Sequence, residues 1–276
     1  MQERKPPIVF SHANGFPAGT YRVLFETWRA AGHAVHAVER FGHDPAYPVT
    51  SNWPKLRDQL IHFAEREVKA PALFIGHSLG GLLSLLAVCR RPDLAAGLVM
   101  IDSPVITGWR AHSLQVVKAT GLVRRVSPGR VSRTRRHEWP TRDAVRQHFA
   151  GKAVFARWDP RVLEDYVQSG FDEQGGKLVL GFDRAIETHI YDTLPHHLGT
   201  LLRRHPPKCP VGFLAGTQSA EMRQGGFDAS HRLAGANFRT LEGTHLFPME
   251  SPDETARTVL ELVAGFTHSV STQDKP

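Results

Sequence analysis

Gly76-His77-Ser78-Leu79-Gly80 places a serine between two residues without side chains, directly after the apolar run Ala72 to Ile75 and ahead of a helix-forming stretch from Leu82 to Cys89. A serine projected from a sharp strand-to-helix turn needs neighbours without bulk two positions on either side, which makes Ser78 the candidate nucleophile. The same turn aims the first N–H groups of the helix at the place where a negatively charged oxygen would form. A serine hydroxyl is a weak nucleophile until a base takes its proton. The candidate base is His245, in Glu242-Gly243-Thr244-His245-Leu246-Phe247-Pro248, where a short strand from Phe238 to Leu241 empties into a turn. A third turn-rich segment, Ser11-His12-Ala13-Asn14-Gly15-Phe16-Pro17, follows the strand-like Ile8, Val9 and Phe10.

These three motifs, in this order along the chain, resemble the α/β-hydrolase family, and the resemblance extends from Ile8 to about Phe266. It implies that the His12 loop is an oxyanion loop, that Gly76 to Gly80 is the nucleophile elbow and that Gly243-Thr244-His245 is the catalytic histidine loop. It also implies two oxyanion donors, the backbone N–H of Leu79 and one from the His12 loop, for which Asn14 is preferred over Ala13 and Phe16. The third triad member stays open. The commonest family arrangement puts an acid after the strand Val211 to Ala215, but that loop reads Gly216-Thr217-Gln218-Ser219-Ala220-Glu221, with Ser219 where the carboxylate is expected. Asp102, at the end of the preceding core strand, is the leading candidate. Glu221 is the alternative, ahead of Asp228 or a more distant group. His12 and His77 read as structural or pocket-lining.

The elements that must carry these loops alternate. Strands are expected at Ile8 to Ser11, Ala34 to Val38, Ala72 to Gly76 and Gly97 to Asp102, with helices at about Ala18 to Ala31, Asn52 to Val68 and Leu79 to Arg91, a βαβα order that argues a mainly parallel sheet covered by helices. Strands resume at Val211 and Phe238, and Ser251-Pro252-Asp253-Glu254 opens a last helix. Only seven residues precede the Ile8 strand, so about six strands are expected, with the Ala34 strand at one edge. The fold class is therefore α/β, with a core formed by residues 1–103 and 207–276. Residues 104–206 break the rhythm and read as a basic, mostly helical cap or lid inserted over the site, where similar hydrolases place theirs.

Composition bounds the rest. The chain has 276 residues, 41% of them hydrophobic, enough for one core and an accessory layer. No apolar stretch approaches the roughly 18 to 20 residues that cross a bilayer, and the first seven residues hold no apolar signal core, so a cytoplasmic location is expected. Cys89 and Cys209 are far apart in sequence and suggest neither a disulfide framework nor a thiolate metal site. The 16 histidines lack ligand spacing with a carboxylate, and no phosphate loop is present, so no cofactor and no metal are expected. The net charge of +7 lies in one place: between Pro104 and Pro206 there are 17 Lys and Arg against 10 Asp and Glu, and elsewhere 17 against 17. The densest part runs Arg124, Arg125, Arg130, Arg133, Arg135, Arg136. It reads as a solvated basic face, with attraction of an anionic substrate as the functional alternative. No nucleic-acid motif accompanies it, and a membrane partner is not favoured.

Together these readings point to a serine hydrolase of carboxylic esters or thioesters, a carboxylesterase-like enzyme working through an acyl-enzyme on Ser78. The serine at the elbow argues against haloalkane dehalogenase or epoxide hydrolase chemistry, for which similar folds use an aspartate there. The alternatives are an acyltransferase, a perhydrolase, an amide or carbon–carbon bond hydrolase, or a slow small-molecule binding protein or receptor that kept the pocket.

Overall fold

The computed structural model describes residues 5–119 and 129–270. Arg124 and Arg125 of the basic run lie outside the described residues. The central sheet uses β1 (Ile8–Ser11), β2 (Val35–Ala37), β3 (Ala72–His77), β4 (Ala95–Ile101), β8 (Val211–Gly216) and β9 (Phe238–Leu241) in the order β2-β1-β3-β4-β8-β9. Every pairing in it is parallel, with Ile8 opposite Val35 and Leu73, and Leu98 opposite Val211. The Val35 strand is at the edge, as the sequence suggests.

A two-residue period explains why both faces are covered. Ile8 and Phe10 of β1, Leu73 and Ile75 of β3 and Val99 and Ile101 of β4 point to one side, where α1 (Arg22–Ala30) and α10 (Pro252–Val270) pack. Val9, Phe74, Leu98 and Met100 point to the other, against α2 (Pro54–Glu67) and α3 (Leu79–Arg90). Helix α3 is apolar all round and buried from Leu79 to Cys89, as a helix in the middle of a doubly covered sheet must be. Cys89 and Cys209 are free, and burial pushes both thiols up, to about 12 and about 11, which disfavours the reactive thiolate.

Between β4 and β8 the described chain forms α4 (Gly108–Ala119), α5 (Gly129–Thr134), β5 (Glu138–Trp139), α6 (Arg142–Ala150), α7 (Pro160–Ser169), β6 (Phe171–Gln174), β7 (Lys177–Leu180), α8 (Arg184–Asp192) and α9 (Leu198–Arg204). The segment is largely helical but also contains an antiparallel sheet, β5-β7-β6, that the sequence reading did not anticipate. Its hairpin turns at Gly175 and Gly176, both at positive φ. Trp139, Phe149, Trp158, Tyr166 and Phe171 form an aromatic cluster inside this segment, and Phe16 of the loop after β1 joins it through Trp158 and Tyr166. Ion pairs tie it to the core: Arg22 to Asp165 at 2.6 Å, and Arg40 to both oxygens of Asp172 at 2.6 and 2.7 Å. No helix among the described residues is long and apolar enough to cross a membrane.

Candidate active site

In a parallel sheet the carboxyl ends of all strands share one edge, and the loops leaving that edge converge. Here β1 delivers Asn14, β3 delivers Ser78, β4 delivers Asp102, β8 delivers Ser219 and β9 delivers His245. Ser78 has φ 54° and ψ −115°, the strained turn anticipated from its neighbours. The glycines make that turn possible: a Cβ on Gly80 would overlap the Ser11 carbonyl, and one on Gly76 would overlap the Gly80 backbone.

Ser78 Oγ lies 2.9 Å from His245 Nε2, and His245 Nδ1 lies 2.6 Å from Asp102 Oδ2. Because a carboxylate only accepts, Nδ1 carries the proton, and Nε2 is left to accept from the serine hydroxyl. Asp102 is fully buried and held on three sides: Oδ1 accepts from the Gly216 N–H at 2.7 Å, and Oδ2 accepts from the Ser219 hydroxyl at 2.5 Å as well as from His245. Glu221 is nearly half exposed, and its carboxylate stands 3.9 Å from the same imidazole nitrogen, beyond hydrogen-bond reach. Asp228 is exposed at the start of the helix Asp228–Ala234 and is not among the hydrogen-bond or ion-pair partners of His245 in the described residues. Burial alone would lower the pKa of His245, but the hydrogen bond and charge of Asp102, with the charge of Glu221 added, outweigh it and raise the value above that of an ordinary imidazole.

Two buried histidines hold the framework. The Phe41 N–H donates to His12 Nε2 at 3.0 Å, so Nδ1 carries the proton and donates to the Ala13 carbonyl at 2.8 Å. That carbonyl also accepts from the Phe16 N–H at 3.1 Å. In a trans peptide the C=O and the following N–H point in opposite directions, so fixing the Ala13 carbonyl fixes the direction of the Asn14 N–H. At His77 the carbonyl of His245 can only accept, so Nε2–H donates to it at 2.9 Å and Nδ1 accepts from the Tyr21 hydroxyl at 2.8 Å. Tyr21 in turn accepts from the Ala13 N–H at 3.1 Å. One buried relay therefore connects the loops after β1, β3 and β9. Burial, the largest influence on both rings, lowers their pKa values, to about 4 for His12 and well down for His77, so both stay neutral.

The backbone donors can now be accounted for. The Ala13 N–H is taken by Tyr21 and that of Phe16 by the Ala13 carbonyl, whereas the N–H groups of Asn14 and Leu79 have no acceptor among the described residues. Both residues line the cavity of about 430 Å³ that Ser78 and His245 also line. Among the described residues, the one convergence of three potential metal ligands is Asp102, Glu221 and His245, of which Asp102 and His245 already engage one another.

The structure thus brings Ser78, His245, Asp102, Leu79 and Asn14 to one edge and leaves Glu221 at its margin. Tyr21 carries no local sequence signal, since its partner is 56 residues away. The role of Ser219 as a donor to the buried carboxylate was open to inference, because it occupies the loop position where an acid is expected.

A family model described as "Alpha/beta hydrolase family" matches residues 8–258. A monoglyceride lipase of Rattus norvegicus is 28% identical over 131 residues, 45% of this chain and 43% of that protein, and a monoglyceride lipase homolog of monkeypox virus is 24% identical over 182 residues, 62% and 61% of the two chains. The rat match therefore spans under half of that relative's length. Among solved structures, E-2-(acetamidomethylene)succinate hydrolase is similar with a TM-score of 0.75 at 21% identity, covering 94% of this chain and 91% of the other. A carboxylesterase of the thaumarchaeon Nitrososphaera gargenis gives 0.68 at 19%, covering 96% and 92%, and the thioesterase domain from the curacin biosynthetic pathway gives 0.67 at 16%, covering 94% and 92%. The family match over nearly all of the described core, together with the fold, makes this chain a member of the alpha/beta hydrolase family.

Proposed function

We propose that this hydrolase cleaves carboxylic esters through an acyl-enzyme on Ser78. The observation that carries the reading is the unbroken hydrogen-bonded chain from the Ser78 hydroxyl through His245 to the buried Asp102. In the first half-reaction Ser78 Oγ attacks the carbonyl carbon as its proton passes to His245 Nε2. The tetrahedral oxyanion accepts from the N–H groups of Leu79 and Asn14, two donors that folding has left unpaired beside the nucleophile. Collapse expels the alcohol, which takes the proton back from His245. Water then loses a proton to the same nitrogen and attacks the acyl carbon, and collapse releases the acid as His245 returns that proton to Ser78 Oγ. Asp102 holds the productive tautomer and offsets the imidazolium charge, and residues 104–206 act as the cap that walls the cleft.

The names of the relatives, monoglyceride lipases among them and a carboxylesterase and a thioesterase domain among the structures, favour acyl transfer to water over the other chemistries of the fold. The test is turnover of a panel of activated esters and thioesters by the full chain beside Ser78→Ala. The reading expects ester turnover, and a loss on the order of 10⁶-fold in kcat for the variant. Equal turnover by both proteins would rule it out.

A further inference from the structure

Ser78 and His245 line two cavities, of about 430 Å³ and about 670 Å³, and the charged groups in them can be matched pair by pair. In the larger, the Arg135 guanidinium lies against the Glu187 carboxylate, and Arg157 lies 3.3 Å from Glu250. Two charges stay unmatched. Glu221 lines both cavities, and its partner among the described residues is the His245 imidazole, 3.9 Å away. Arg110 lines the smaller cavity, and no carboxylate of the described residues pairs with it.

Arg110 is seated at this wall. Its guanidinium stacks on the Trp109 ring at 5.1 Å and lies over Gly226, where a Cβ would come within 2.6 Å of Nη1. One short helix, Ala220–Gly225, relates the two unmatched charges. Glu221 begins it beside His245, and Gly226, just past its end, touches Arg110. At about 1.5 Å per residue, the guanidinium therefore stands roughly 7 Å farther along that helix than the carboxylate. Much of the remaining wall is apolar: Leu79, Leu82, Ile106, Leu114, Ile190 and Leu194.

The leaving group takes its proton from His245, whose chain neighbours Thr244 and Leu246 line the larger cavity, so the acyl group extends into the smaller one. An anion close to the ester carbonyl meets Glu221 and is repelled. One farther along the chain meets Arg110, whose planar fork of N–H donors fits a carboxylate. A single guanidinium balances one negative charge, and Glu221 in the same cavity opposes the second charge of a phosphate.

Resting on the hydrolase reading above, we propose that the acyl group carries a carboxylate at its far end, several methylenes from the ester carbonyl, and that Arg110 binds it. The substrate class is then the monoester of a dicarboxylic acid.

The experiment measures kcat/KM of the full chain on the monoethyl esters of succinic, adipic, suberic and sebacic acids. Each is set beside the analogue whose free carboxyl is a primary amide, and Ser78 labelling by a fluorophosphonate is measured in parallel. The proposal expects the carboxylate to exceed the amide by about tenfold or more for the longer chains, an advantage that shrinks as salt is raised and is lost for succinate. Arg110→Met, or Arg110→Gln if the first fails to fold, should bring that ratio close to one by raising KM for the carboxylate ester. Arg110→Lys should keep part of it. Equal turnover of amide and carboxylate at every chain length overturns the proposal, and so does a preference strongest for succinate. A preference that survives Arg110→Met also overturns it, by placing the anion against another cation such as Arg135. In each of these cases Ser78 still labels. Failure to label, with no ester turned over, overturns the hydrolase reading itself.

Discussion

The edge of the sheet and the segment between β4 and β8 are built by different rules. At the edge, positions are set by backbone: strained φ values at Ser78 and Asp102, glycines where a Cβ would overlap main chain, and buried side chains such as Asp102 and His77 that hydrogen-bond the loops after β8 and β9. In the segment, side chains carry more of the contacts, through aromatic packing and partly exposed ion pairs such as Arg40 with Asp172, with arginines also reaching backbone carbonyls. The first arrangement fixes atoms to fractions of an ångström, as a proton transfer needs. The second tolerates exchange of residues and shapes what may enter. Substitutions at the edge should therefore lower kcat, and substitutions in the segment should alter stability or selectivity.

The sharpest break of that contrast is Asp102→Asn. It preserves shape but lets the imidazole adopt the wrong tautomer, and kcat should fall by about 10⁴-fold with the fold intact by circular dichroism. The same variant tests the electrostatics. In the parent protein the base must be neutral to accept a proton, so activity should rise with pH through a limb displaced above the ordinary histidine value by Asp102 and Glu221, against the opposing effect of burial. Removing the Asp102 charge should move that limb to lower pH in the residual activity. Near-normal turnover would transfer the acid's role to Glu221.

A smaller effect is expected at His12, which touches no substrate. His12→Gln loses the Nδ1–H donor that fixes the Ala13 carbonyl, so the Asn14 N–H is free to tilt, and kcat should fall by about 10²-fold at nearly constant KM. A change in KM alone would instead assign His12 to the pocket wall. The smallest effect belongs to the segment: Arg40→Met removes an ion pair that is partly solvent-screened, with an expected loss of about 0.2–1 kcal/mol in urea unfolding and an unaltered pH profile.

Legibility in the sequence follows the same division. The Gly76-x-Ser78-x-Gly80 elbow and the parallel strands are written locally, as a steric demand and a hydrophobic period, so a mainly parallel sheet of about six strands with the strand at Ala34 on its edge could be anticipated, though not the order of the others. Sequence could rank Asp102 ahead of Glu221 but not decide between them, because both lie near the same edge and it is their separations from His245 Nδ1, 2.6 and 3.9 Å, that distinguish them. Tyr21 and His77 illustrate a second limit: each looks like an ordinary core residue until tertiary folding places a hydroxyl beside a ring nitrogen. In the segment the short β5-β7-β6 sheet escaped notice because strands of two to four residues carry too little periodicity to register. The arginine run misleads in its own way, since its net charge says nothing about the carboxylates that fold against Arg133 and Arg135.

The account stands on Ser78 acting as nucleophile with His245 as its base. The most direct measurement is intact-protein and peptide mass spectrometry after treatment with a fluorophosphonate, with Ser78→Ala and His245→Ala alongside. A single adduct on the Ser78 peptide, absent from the first variant and formed far more slowly in the second, is the expected result. An adduct on a different residue, or one forming on Ser78 at the same rate without His245, would contradict it.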